Sequence, residues 1–108
     1  MNPKIEMAIR EKINKPTGEL TKADFVRIPA IDLRDYSPVD DVTGLENLTE
    51  LRSLNLGFNQ LTVMPMGLEK LTQLSYLDLE NNYALTKAQI DQLQKALPKC
   101  NIESNPTK

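Results

Sequence analysis

Apolar positions in this chain return at a fixed interval. Leu51, Leu54, Leu56, Asn59 and Leu61 form L-x-x-L-x-L-x-x-N-x-L, and a step of 23 residues forward finds Leu74, Leu77, Leu79, Asn82 and Ala84 in the same places. The same step backward finds Ile28, Ile31, Leu33, Tyr36 and Pro38, and one more step forward finds Leu97, Cys100, Ile102 and Asn105. The linking segments repeat as well: Gly44, Leu45, Glu46, Leu48 and Thr49 match Gly67, Leu68, Glu69, Leu71 and Thr72. Within each unit the L-x-L core alternates apolar and polar residues, the period of a half-buried strand. Strands are therefore predicted near 28–33, 52–56, 75–79 and 100–102, stacked in parallel, each turn covering the next. Asn59, Asn82 and Asn105 are expected to form a ladder, because one amide carries both donor and acceptor and bridges two turns. Tyr36 interrupts that column and reads as part of the structure closing the first turn.

The ends depart from the repeat. Asn2 and Pro3 open a predicted helix with Ile5, Ala8, Ile9 and Ile13 on one face. Lys15-Pro16-Thr17-Gly18 turns the chain, and a short second helix is predicted from Thr21, with Asp24 completing a capping box and Leu20 stapling onto Phe25. Near the other end Thr86 and Gln89 form a second capping box, Leu85 is placed to staple onto Ile90, and Ile90, Leu93 and Leu97 share a face that Pro98 terminates. One domain, 1–108, follows: a helical N-terminal cap at 1–27, repeats at 28–85, and a cap helix with the last strand at 86–108. Removing either end is expected to unfold the domain.

The repeats resemble those of leucine-rich repeat proteins across residues 28–105. Thr43-Gly44-Leu45-Glu46-Asn47-Leu48-Thr49 resembles the linking segment of bacterial, internalin-like repeats, residues 2–27 are similar to the helical cap ahead of bacterial arrays, and Ala96-Leu97-Pro98-Lys99-Cys100-Asn101-Ile102 resembles a closing segment. The resemblance implies an α/β fold: a short right-handed solenoid with a parallel concave sheet that binds proteins. The period of 23 departs from the 22 of internalins, and no signal peptide or anchor is recognisable, which counts against a surface-exposed, host-binding role.

Composition narrows the function. The 13 basic residues are scattered among 15 acidic ones, for a formal charge of −2, so nucleic acid is not an expected partner. No apolar run reaches the roughly 18–20 residues that span a bilayer, and residues 1–14 lack the apolar stretch of a signal peptide. A cytoplasmic monomer is the expectation, with a mature fragment of a secreted protein as the alternative. The single cysteine, Cys100, sits in an apolar column and reads as a buried structural residue.

Catalysis is not expected. The chain has no histidine, the commonest general acid–base and metal ligand. Asp32 and Asp78 share a column two strands apart, roughly 9.5 Å, on an open sheet with no pocket to shift either carboxyl. Asp32, Asp35, Asp40 and Asp41 cluster without the spacing of a calcium loop. No metal or cofactor is expected.

Binding residues are sought on the outward positions. Their columns read Asp32, Asn55, Asp78 and Asn101; Arg34, Gly57, Glu80 and Glu103; Asp35, Phe58, Asn81 and Ser104; and Ala30, Ser53, Tyr76 and Lys99, flanked by Arg52 and Ser75. Aromatic residues and arginine dominate binding hot spots, so the candidate protein-binding residues are Arg34, Arg52, Asn55, Phe58, Tyr76, Asp78 and Glu80. Phe58 either projects as a contact residue or folds over the edge of the sheet. Tyr83 reads as loop packing and Tyr36 as structural. The expected function is a non-catalytic protein-binding module using the concave face. The alternative is a self-associating scaffold unit joined through the open edge of the last strand, which Pro98 and Pro106 would discourage.

Overall fold

The computed structural model describes residues 1–105; Pro106 and the last residues of the 86–108 segment lie outside them. The period-2 segments form four three-residue strands, β1 (Ala30–Asp32), β2 (Ser53–Asn55), β3 (Tyr76–Asp78) and β4 (Asn101–Glu103), in one sheet of order β1-β2-β3-β4. All neighbours are parallel. The strands are shorter than expected because the chain turns immediately after each outward Asp or Asn. Asp32, Asn55 and Asp78 each accept a hydrogen bond from the backbone N–H two residues on, of Arg34, Gly57 and Glu80, at 3.0, 2.8 and 2.8 Å. These are side-chain turns competing with the ladder.

The first two register steps follow the repeat: Ile31 pairs with Leu54 and Leu54 with Leu77. The last does not. Leu77 pairs with Ile102, Tyr76 with Asn101 and Asp78 with Glu103, a step of 25 residues. The column assignment of Asn101, Glu103 and Lys99 is thereby corrected. Pro98–Cys100 spend two extra residues leaving the third helix, and an even slip preserves which side chains face inward.

Leucines from all the turns meet in one core. Leu45, Leu48, Leu51, Leu54, Leu56, Leu68, Leu71 and Leu77 are fully buried, and Cys100 is buried as expected; burial pushes its thiol pKa up. Ile102, in the inward column but on the edge strand, is only half-buried. The linking segments form 3₁₀ turns at Leu45–Asn47 and Leu68–Lys70, entered through Gly44 and Gly67 at φ 114° and 89°, a region that disfavours any side chain.

Three helices complete the fold. In α1 (Pro3–Ile13), Asn2 accepts from the Lys4 N–H at 2.8 Å, and Ile5, Ala8, Ile9 and Ile13 are the buried residues. This helix packs against β1. Helices α2 (Lys22–Phe25) and α3 (Lys87–Ala96) both begin with complete capping boxes, Thr21 with Asp24 and Thr86 with Gln89. Leu20, Phe25 and Ile90 lie half-buried against the core, and Leu85, Leu93 and Leu97 are buried.

The asparagine column forms two rungs. Asn59 Oδ1 accepts from the Val39 N–H at 2.8 Å while its Nδ2 donates to the Leu33, Leu56 and Gly57 carbonyls. Asn82 Oδ1 accepts from the N–H groups of Asn59 and Leu61, and its Nδ2 donates to the Leu56 and Leu79 carbonyls. Asn105, displaced by the two-residue slip, accepts instead from the Asn81 N–H. Tyr36 closes the first turn by donating its hydroxyl to Glu11 Oε2 at 2.6 Å. That bond, with burial and the charges of Glu11, Asp35 and Asp32, raises its pKa to about 12.

Asp24 gives the fold an acid-sensitive point. It is 8% exposed and receives Lys15 Nζ at 2.7 Å and the Thr21 N–H at 2.9 Å. The lysine bond first and the Thr21 backbone bond second hold its pKa below the ordinary 3.8, at about 2. A carboxylate depressed in the native state stabilises it fully above the unfolded pKa and loses that effect as pH falls through the native one. The urea midpoint of wild type should therefore decline between pH 3.8 and about 2 more steeply than that of Lys15→Met. Equal slopes would show that the pair contributes nothing.

Candidate functional site

The strand pleat places Tyr76, Asp78, Asn55, Asp32, Asn101 and Glu103 on the solvent side of the sheet. Asp32, Asn55, Asp78 and Glu103 form one row across it, with Ala30, Ser53, Tyr76 and Asn101 in the next. Glu103 thus stands directly beside Asp78, a neighbour that counting by 23 assigns to a different column.

The seven expected contact residues divide into two groups. Arg34 lies in a 3₁₀ turn, Arg34–Tyr36, and its guanidinium grips Asp32, Nε at 3.0 and 3.1 Å and Nη2 at 2.6 Å. These bonds lower the Asp32 pKa and raise that of Arg34, to which Asp35 and Asp78 add their fields. Arg52 turns away from the sheet face: its Nη1 donates to the Thr49 and Leu51 carbonyls at 3.1 and 3.2 Å, and its Nη2 lies 3.7 Å from Glu50. Both arginines have local partners, and both side chains remain about half exposed. Asn55 is half-buried and spends its Oδ1 on the Gly57 turn.

The remaining four lie on β3 or just beyond the ends of β2 and β3. Tyr76 is half-buried, and its hydroxyl pKa is raised first by burial and then by Asp78, Glu103 and Glu80. All three carboxylates therefore act on one phenol. Phe58 joins them through its backbone N–H, which donates to the Glu80 carbonyl at 3.1 Å. The residue is 59% exposed and its backbone sits at φ 58°. The side chain is thus exposed to solvent rather than folded over the edge of the sheet. In the next repeat the equivalent position is Asn81, also left-handed at φ 67°, and asparagine tolerates that conformation where a bulky residue does not.

Tyr83 does not pack into a loop as expected: the residue is 76% exposed, its hydroxyl donating to Asn81 Oδ1. Val63 and Met66 are likewise exposed, at 60% and 68%. Their return segments carry no repeat signal that would have flagged them. Among the described residues no group of three or more His, Cys, Asp or Glu is placed to hold a metal, and no helix is long and apolar enough to cross a membrane.

Residues 49–95 match a family model described as leucine-rich repeats, in two copies. That match supports a leucine-rich repeat protein, and the parallel four-stranded sheet with helices fits an α/β repeat fold. Such domains generally mediate protein–protein interaction and are typically non-catalytic. No curated protein matches the chain.

Proposed function

We propose that this chain, which carries two leucine-rich repeats over residues 49–95, is a non-catalytic protein-binding module that grips one partner on the outward face of its sheet. In this reading the sheet is the concave wall of a short right-handed solenoid of the bacterial type. Residues 1–27 cover one end of it, and α3 with β4 closes the other. The contact centre is Phe58, Tyr76, Asp78 and Glu80, with Glu103 added.

Phe58 carries the proposal. An aromatic ring exposed to water gains nothing from burial, and a left-handed backbone costs a bulky residue on the order of 1 kcal/mol. The residue is thus unfavourable to folding on both counts, and asparagine occupies the same column one repeat later. Such a residue fits a binding role. Four strands at about 4.8 Å give a face roughly 15–20 Å wide, so a standard interface of about 800 Å² per partner would use most of it.

The test separates binding from stability in one substitution. Phe58→Asn should raise stability by about 0.5–1 kcal/mol, while Phe58→Asn with Tyr76→Ala should abolish crosslinking to the partner captured by wild type. Unchanged capture by the folded double variant would refute the face assignment.

A second reading, self-association through β4, rests on the half-buried Ile102 at the sheet's open edge. Sedimentation at two concentrations decides it: a strict monomer removes it, and a concentration-dependent dimer supports it.

A further inference from the structure

Charge is distributed unevenly over the outward face. On β1 the carboxylate of Asp32 is neutralised by Arg34 at 2.6 Å, and beside β2 Arg52 pairs with Glu50. On β3 and β4, by contrast, Asp78 and Glu103 are direct cross-strand neighbours, and Glu80 follows within two residues. Among the described residues none of these three takes part in an ion pair. Like charges directly opposite on a sheet destabilise it. The turn formed by Asp78 does not require the charge either, since Asn55 makes the same turn at 2.8 Å one strand away. Tyr76 lies in the field of all three carboxylates, and the exposed Phe58 follows β2, its backbone N–H bonded to the Glu80 carbonyl.

We infer that the outward face of β3 and β4 seats an extended segment of another protein carrying alternating lysine or arginine residues. The three carboxylates, which form no ion pair among the described residues, receive the cationic heads, and Phe58 and Tyr76 receive the aliphatic stems. The inference rests on the binding reading above and specifies its partner. The dimensions agree: the outward positions Tyr76 and Asp78 of β3 stand two residues apart, about 6.6–6.8 Å, the spacing of same-side residues in an extended peptide, with Glu80 in the turn just beyond. Lysine and arginine lay their methylenes along apolar surface while the head stays polar, and an aromatic face attracts the cation as well. An acidic or wholly apolar segment would leave Asp78, Glu80 and Glu103 repelled or desolvated.

The probe is an octapeptide of alternating glycine and lysine, titrated into the ¹⁵N-labelled full chain at low and at physiological salt. Its controls are the glycine–glutamate octapeptide, spermidine and Mg²⁺. The lysine peptide should shift the amides of residues 76–80 and 101–103, weaken with salt, and lose on the order of tenfold in affinity in the variant Asp78→Asn, Glu80→Gln, Glu103→Gln. That variant keeps the strand-ending turn, and an unchanged amide spectrum elsewhere verifies its fold. Phe58→Asn, with every charge retained, should also weaken the peptide but leave Mg²⁺ unaffected. The inference is overturned if the peptide produces no shift, if the neutralised variant binds it equally well, or if spermidine or Mg²⁺ reproduces the same shifts with the same dependence on Phe58. Should the lysine peptide fail while capture of a partner still depends on Phe58 and Tyr76, the cationic class falls and face binding stands. Should capture also ignore those two rings, both fall.

Discussion

Asn82→Ala should lower the unfolding free energy by about 3–5 kcal/mol, since each buried polar group left without a partner costs roughly 1–3 kcal/mol. Three backbone groups lose theirs, the N–H groups of Asn59 and Leu61 and the carbonyl of Leu79, while the Leu56 carbonyl keeps its bond from Asn59 Nδ2. Some will be recovered by water entering the space left by the amide, so the full sum is not expected. Domains of this size have a total stability of about 5–15 kcal/mol, so the variant is expected to lose a large share of it and to unfold at a markedly lower urea concentration. Asn82→Asp should be no better, because it keeps the acceptor while losing both donors and burying a charge at a site 3% exposed. Asn47→Ala, at an exposed position in a 3₁₀ turn, is the control and should stay within about 0.5 kcal/mol of wild type. Urea titrations of the three variants measure the difference. A loss under about 1 kcal/mol for Asn82→Ala would mean that water satisfies those groups as well as the amide does.

A chain beginning at Ile28 should show no cooperative melt. Ile5 and Ile9 are fully buried and Ile13 is 7% exposed, against a sheet whose first strand has no other neighbour on that side. Three isoleucines at about 1.5–3 kcal/mol each amount to roughly 5–9 kcal/mol from the deleted side alone. The inner side of β1, against which α1 packs, would also become wet. Deletion further removes the polar tether at the helix start, where Asn2 Nδ2 donates to the Asp41 carbonyl at 3.1 Å. Far-ultraviolet circular dichroism against temperature is the measurement, with dye binding to detect exposed core. A sigmoidal transition in the shortened chain would show that the sheet is self-sufficient.

Much of this architecture was legible because it depends on residues close in sequence or spaced by the repeat. The buried face of α1 follows from Ile5, Ala8, Ile9 and Ile13 alone, and both capping boxes are read within four residues. Asn59 and Asn82 were legible because only a side chain with donor and acceptor suits that bend. The last strand was misplaced for a physical reason. A slip of two residues leaves Cys100 buried and keeps the alternation of Asn101, Ile102 and Glu103, so the inward–outward pattern looks the same in either register. The binding candidates were harder. Side-chain type marked Arg34 and Arg52 as candidates, but their local partners, Asp32 and the Thr49 carbonyl, are not revealed by any periodicity. Phe58 was ambiguous until its backbone angle and exposure were known, and Glu103 was overlooked because its neighbour depends on the slip.

The same slip fixes how the array could be lengthened. A designer grafting one more turn after β4 would naturally phase it from Cys100, the position that continues the run 31, 54, 77. Such a graft would align its first inward leucine against a turn residue and leave Ile102 unmatched. Phasing from Ile102 instead, the partner of Leu77, would set the new leucine over it and cover its half-exposed side chain, so the splice point has to be counted from hydrogen-bonded partners.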